Sequence, residues 1–533
     1  MLRLMGRRPA IELLMVSVLV HVCVLLAAYL RTGGLGGYAF ASLDCGEFYT
    51  IARNLAEHTV FSQSEVPPLR PDTWRTPGYP LFLAMFLSAF GDSPAMLVVV
   101  QQVLAVVNVL LLFRIAALWM SERRAMVVAA LFLVEPYHLY YSLWLMSTTL
   151  FVTVLLLAWY VWCRALGTCP NSPEPRASAC ADLRTTSDSD RIGRSLTVAV
   201  RNTRADLRTT SDSDRIGRSL TVAVRNTSAD LRTTSDSDGP LVGHRWGWCT
   251  LLGVLAGLLV LVRPVASLIP IALLAGLFVT YQSAPRQTRD HGTRRSWLSL
   301  PVFAVCCVVV VGLWMTRNRV VAGHFALSDQ GGVVLAYFKA TEVELWRQER
   351  TADRYLETTL DPAKAEQPHT VWEDIDARLR DEFASLPENQ RATLRWQNLA
   401  QGNKTTVDSF AVSDALNEIG WSYITASPLS TAACCLVRCG SALTFPLNLA
   451  MKPPRGVEAS RLAWLVKGSI YLALSVWVLV RILRGGLGFA PLYFPLACTI
   501  ALLLATTPQL DPRFRVPMVP LLLFTALLSK PTS

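Results

Sequence analysis

The chain has 533 residues, 52% of them hydrophobic and only 17% charged, with a mean hydropathy of +0.36. Ordinary soluble proteins carry about 25% charged residues, so this composition disfavours a soluble chain and favours a polytopic membrane protein. The net charge of +11 suits the cytoplasmic loops of such a protein better than a nucleic-acid surface, and no nucleic-acid partner is expected.

In chain order, an apolar run over about 13–30 follows Arg3, Arg7 and Arg8. It is too long for a signal-peptide core of about 7–15 residues, so it reads as a retained first span with its arginines inside. Further spans are expected near 94–118, 125–141, 143–163, 247–262, 264–281, 297–315, 462–480, 489–507 and 514–529, about ten in all. The basic loops at Arg123 and Arg124, Arg286 to Arg295, and Arg481 and Arg484 then share the side of the N-terminus, which places both termini in the cytoplasm. The run 430–449 is apolar but carries Arg438 near its middle, and it is expected to lie on the outer interface rather than span. The fold class expected is thus an all-α polytopic membrane protein with amphipathic helices in its outer loops.

This layout divides the chain into an N-terminal membrane region (1–164) whose first outer loop runs over about 32–93, an inner insertion (165–245), central spans (246–315), an outer segment (316–461) and C-terminal spans (462–533). The insertion holds a repeat. Ala181–Arg204 recurs at Ala205–Ser228 with only the last residue changed, and a truncated copy runs over Ala229–Asp238. Near-identical copies rich in Ser, Asp, Thr and Arg read as a duplicated disordered linker rather than a solenoid.

The first outer loop carries the chemistry. Phe48, Ile51, Ala52 and Leu55 recur at helical spacing, so an amphipathic helix is expected at the membrane surface, with Asp44 at its start. Asp44 is either an N-cap or a general base reached by an acceptor hydroxyl. Downstream, Trp74-Arg75-Thr76-Pro77-Gly78-Tyr79-Pro80 fixes a turn, and Arg75 either snorkels or clamps a phosphate. In the outer segment, helices are expected over 342–350, 377–386 and 389–399, with Trp346, Trp372 and Trp396 packing them. Glu373-Asp374-Ile375-Asp376 contains an Asp-x-Asp pair. It is read as acids in a first helical turn rather than metal ligands, and neither a metal nor a cofactor is expected.

Asp44 eight residues ahead of an Ala52-Arg53-Asn54-Leu55 helix, followed by Arg75-x-Pro-Gly-Tyr-Pro-Leu-Phe, resembles the start of the GT-C glycosyltransferases. The likeness is to the family 39 and RgtA/B/C/D-like branch, akin to protein O-mannosyltransferases and lipid A aminoarabinose transferases. Further matches come in order: Glu135-Pro136-Tyr137 through Met146-Ser147, Leu261-Val262-Arg263-Pro264, Arg317-Asn318 with Gly331-Gly332, and Pro512-Arg513-Phe514-Arg515. The resemblance implies a multi-span bundle with a cavity on the outer side of a bacterial inner membrane. It implies a polyprenyl-phosphate sugar as donor and a lipid, glycan or protein hydroxyl as acceptor. Asp44 would deprotonate or orient the acceptor hydroxyl, and Arg75 would be the first choice for the donor phosphate, followed by Arg263, Arg317, Arg513 and Arg515; by themselves Arg263 reads as closing a hairpin and Arg513 with Arg515 as anchoring a span end. Glu47, Tyr49, Tyr79 and Lys339 would contact substrate, although by itself Lys339 reads more readily as a surface lysine. The chain departs from the family pattern in having Phe48 where a Tyr is usual and Thr148 where many relatives carry Glu. The competing reading is a transporter or flippase of lipid-linked substrates.

Overall fold

A computed structural model describes residues 7–166, 239–282, 299–349, 368–399, 407–444, 477–478, 480, 489–507 and 516–528. Among the described residues the chain is helical, without strands. Backbone contacts divide it into two units, 1–168 with 248–533, and 169–247. The repeats, Arg513, Arg515 and most of the expected span 462–480 lie outside the described residues.

Among the described residues, four helices are long and apolar enough to cross a membrane: α1 (Arg7–Thr32), α4 (Pro94–Ala117), α7 (Thr148–Leu166) and α10 (Ser299–Ala322). Between them in sequence lie α2 (Leu43–His58), α3 (Gly78–Phe90), α5 (Glu122–Leu133), α6 (Pro136–Tyr141), α8 (Gly239–Val262) and α9 (Leu268–Gln282). Later come α11 (Thr341–Glu349), α12 (Pro368–Glu382), α13 (Ser409–Ala426), α14 (Pro428–Thr444), α15 (Phe489–Thr506) and α16 (Met518–Leu527).

α4 and α7 are mostly buried within the protein, whereas α1 and α10 present apolar faces outward: Leu19, Leu30, Val308 and Leu313 are each more than 60% exposed. Such a surface is untenable in water and natural against lipid. The chain is a membrane-embedded helical protein. Its bundle is held by stacked aromatics and buried side-chain amides. Trp159 of α7 lies 5.6 Å from Phe494 of α15 and 4.7 Å from Phe524 of α16, centre to centre. Gln101 Nε2 donates to the Trp144 carbonyl at 2.5 Å, and Gln102 Nε2 to Ser142 Oγ at 2.9 Å. Where hydrocarbon supplies no partner, such bonds between helices replace water.

The expected span over 125–141 is not one helix. It breaks after Leu133, because Pro136 drives its predecessor out of the helical region: Glu135 sits at φ −66°, ψ 117°. The Glu135 carboxylate then accepts from the His138 backbone N–H at 2.5 Å and caps α6. The expected span over 143–163 begins only at Thr148. Ahead of it the chain forms a turn pinned by Leu145 N–H donating to the Ala39 carbonyl. Among the described residues, shorter apolar helical segments lie at Gly78–Phe90, Trp246–Val262, Pro264–Thr280, Pro428–Cys439, Leu492–Thr506 and Met518–Leu527.

Outside the long helices lies a second hydrophobic core. Val333, Ala336 and Tyr337 pack with Val371, Ile375 and Leu379 of α12 and with Val412 and Leu416 of α13. Trp372 and Trp396 close it, and Trp74 joins from the loop before α3. Gly332 permits the approach of α13: a Cβ there would lie 2.0 Å from the Ser413 carbonyl oxygen. α12 starts at Pro368 rather than near 377, so Asp374 and Asp376 sit well inside the helix and not in its first turn. Asp376 accepts from the Tyr337 hydroxyl and the Trp396 N–H, whereas Asp374 pairs with Arg378. Their different partners make them packing and surface acids. Arg438 of α14 is buried and ion-paired with Glu342 of α11, which explains how a charge sits midway along an apolar helix.

Candidate functional site

The helix α2 begins at the extended residue Ser42, which takes the N-cap position (φ −141°, ψ 161°). Asp44 is the second helical residue, so the cap reading of Asp44 is replaced by a first-turn carboxylate, where the helix dipole favours negative charge. One turn on, Glu47 lies on the same face. Both point at Arg75. Its Nη2 approaches Asp44 Oδ1 at 2.5 Å and Glu47 Oε2 at 2.5 Å, while its Nε donates to Glu47 Oε2 at 2.7 Å. The guanidinium also lies over the Phe48 ring, 4.9 Å from its centre. Burial works against the Arg75 charge, but the two carboxylates outweigh it and raise its pKa. In this state Arg75 is committed to the acids. It holds Asp44 in place rather than standing open for a phosphate.

Asp44 keeps 27% of its side chain exposed, and it borders a cavity of about 760 Å³. Around that cavity converge Arg75 and Trp74 of the loop before α3, Met146 and Ser147 of the turn before α7, and Arg263 at the α8–α9 hairpin. Ser328, Gln330 and Gly331 follow from the segment after α10, and Lys339, Trp396 and Trp421 complete the wall. Arg263 donates from Nε to Ser147 Oγ at 2.9 Å and from Nη2 to Thr148 Oγ1 at 2.9 Å. Lys339 sits on a π-helical stretch, Val334–Ala340, whose widened turn places Tyr337 in the second core and Lys339 and Phe338 on the cavity. It is half-buried, not a surface lysine; its Nζ donates to the Ala505 carbonyl at 2.8 Å, and burial lowers its pKa. Three cations and one carboxylate thus face the same space, with aromatic rings between them.

Several expected contacts fall elsewhere. Tyr79 is fully buried, its hydroxyl donating to Gln101 Oε1 at 3.0 Å and its ring edge-on to Phe48. Tyr49 turns away to Asp92. Neither lines the cavity, because helical geometry sends their side chains to other faces of α2 and α3. Glu47 serves Arg75 rather than the cavity wall. Arg317 donates from Nη1 to the Asp72 carbonyl at 2.5 Å and to Asn318 Oδ1 at 2.9 Å, tying α10 to the loop before α3. Arg513 and Arg515 lie outside the described residues.

Trp396 and Trp421 were not legible as cavity residues, since nothing local marks them. The contact between the Pro-Gly turn and the α8–α9 hairpin is equally non-local. A Cβ on Gly78 would lie 2.8 Å from the carbonyl carbon and oxygen of Leu261 and from Val262 Cγ2. Gly78→Ala is therefore expected to cost about 1–3 kcal/mol through overpacking, read as a lower thermal unfolding midpoint in detergent. An unchanged midpoint would show that the hairpin yields freely. No protein-family model, curated protein or solved structure matches the chain.

Proposed function

We propose that the chain is a GT-C-type glycosyltransferase that moves a sugar from a polyprenyl-phosphate donor to an acceptor hydroxyl at the outer face of a bacterial inner membrane. The observation that carries this reading is convergence. Asp44, Arg75, Met146-Ser147, Arg263 and Gly331 come from five separate segments that resemble the family, and all five border one cavity. In this reading the shorter apolar helices near the expected spans 247–262, 264–281, 489–507 and 514–529 join the four long ones in the membrane.

The acceptor oxygen bonds to the anomeric carbon as the bond from that carbon to the phosphate oxygen breaks. Asp44 takes the hydroxyl proton. The departing lipid phosphate carries away the bonding pair and is stabilised by cations. Because Arg75 is held by Asp44 and Glu47, the reading gives the phosphate to Arg263 and Lys339 and makes Arg75 the group that orients the base. Trp396 and Trp421 offer flat apolar faces for the sugar or acceptor. No metal enters this scheme, since a lipid monophosphate leaves without a diphosphate to be bridged.

The transporter or flippase alternative is favoured by one observation, the buried polar pair His21 and Gln102 joining α1 to α4 at 2.6 Å. Membranes containing the full chain, supplied with a panel of radiolabelled polyprenyl-phosphate sugars, separate the two. Covalent transfer of label to an acceptor is the expected result. Label that crosses the membrane unchanged, without transfer, would reject the transferase.

A further inference from the structure

Tyr79 belongs to the Pro-Gly-Tyr-Pro turn yet reaches no substrate space, and Gln101 is a polar residue within the apolar span α4. Both are fully buried, and their side chains meet. The Tyr79 hydroxyl donates to Gln101 Oε1 at 3.0 Å, and Gln101 Nε2 donates to the Trp144 carbonyl at 2.5 Å. The amide has a single workable orientation. A carbonyl accepts and never donates, so the Gln101 nitrogen must face Trp144, which leaves its oxygen to Tyr79.

Each end of this bridge leads to a different wall of the cavity. On one side the Tyr79 ring stands edge-on to Phe48, 5.1 Å between centres, and Phe48 carries the Arg75 guanidinium 4.9 Å from its own centre. That wall holds Asp44. On the other side Trp144 opens the turn that runs to Ser147, whose hydroxyl accepts from Arg263 Nε at 2.9 Å. The same turn is held again at its far end. Asn108, seven residues after Gln101 and on the same face of α4, donates from Nδ2 to the Thr149 carbonyl at 3.2 Å. The two amides are roughly 10 Å apart along the helix axis, and they clasp the turn between them. Of the two, Gln101 also grips the opposite wall, through Tyr79.

We propose that Tyr79 and Gln101 are positioning residues: their buried hydroxyl–amide bridge fixes the gap between the Asp44–Arg75 wall and the Arg263 wall. Across that gap the acceptor oxygen, the anomeric carbon and the leaving phosphate must line up. No water is at hand in the interior of a membrane bundle to replace a lost partner, so the bridge has no competitor. Removing it leaves the surrounding rings packed but frees the two walls to shift against each other. A misplacement of about 1 Å between reacting groups costs about 10²-fold in rate.

The effect on rate rests on the transferase reading, but the bridge does not, and the experiment keeps them apart. Tyr79→Phe removes one hydroxyl and keeps the ring against Phe48, whereas Gln101→Met keeps the length of the side chain and loses both bonds. Hydrogen exchange on the full chain in nanodiscs reads the coupling. The Leu145 and Met146 amides are bonded to the Ala39 and Trp144 carbonyls, and they lie beyond Gln101 as seen from Tyr79. Both variants should speed their exchange; unchanged exchange in the two overturns the bridge. With whichever radiolabelled polyprenyl-phosphate sugar is transferred, each variant should lose about 10²-fold in kcat at an unchanged KM for donor, because Arg263 and Lys339 remain in place. A raised KM at unchanged kcat would overturn the positioning role. The double variant Tyr79→Phe/Gln101→Met removes the hydroxyl that Gln101→Met strands, so its unfolding midpoint should recover toward wild type while kcat stays low. Recovery of kcat together with the midpoint would make the pair merely structural and reject the proposal. Faster exchange in a protein that transfers no sugar would keep the bridge and reject the transferase.

Discussion

Asp44→Asn is expected to lower transfer by about 10²–10⁴-fold, the contribution of a positioned general base, while leaving the protein folded. The structural basis is specific. Asp44 is a first-turn residue rather than the cap, so the helix start at Ser42 does not depend on it. An asparagine oxygen still accepts from Arg75 Nη2, and Glu47 continues to neutralise the guanidinium through two contacts. What the variant loses is the capacity to take a proton at the cavity wall. Transfer rates on solubilised wild type and variant, with matched unfolding midpoints, make the test. Transfer within a few-fold of wild type would return Asp44 to a purely structural role.

Arg75→Ala is expected to be the most destabilising substitution at the site. The Arg75 side chain is 9% exposed and those of Asp44 and Glu47 27% and 11%, so its removal leaves two carboxylates facing each other with little water. Breaking a buried pair from one side costs about 3–5 kcal/mol, and the exposure of Asp44 puts this case toward the lower end. Adding Glu47→Gln removes one of the stranded charges and should restore much of the loss. A double-mutant cycle on unfolding midpoints measures that coupling. Independent, additive losses would mean that the triad does not act as a unit. The rescued double variant also separates two roles for Arg75. If Arg75 orients Asp44 while Arg263 and Lys339 hold phosphate, donor affinity stays near wild type and the transfer rate falls. A loss of donor affinity instead would give the phosphate back to Arg75.

The long apolar runs at α1, α4, α7 and α10 were legible because hydropathy over about 20 residues is a one-dimensional property. So was the amphipathic helix α2, whose apolar spacing fixes which face turns inward. The turn at Arg75 was legible from Pro77 and Gly78, and the residue order around Asp44, Arg75 and Arg263 was enough to nominate them. Sequence alone did not place the helix break at Glu135, although Pro136 announced it, because a run of apolar residues on both sides outweighed one proline. Nor did it distinguish Arg75 as a partner of Asp44 from Arg75 as an open cation. That depends on the angle at which the loop before α3 crosses α2, a packing outcome. Lys339 was easier to read as a surface group, and its place in the cavity follows from the π-helical register that turns it away from the second core. Asp72 and Asp329 are 257 residues apart in sequence, counted from 72 to 329. Each is an unremarkable turn acid by itself. Only the tertiary fold buries both against one loop, and that burial raises the pKa of each carboxyl.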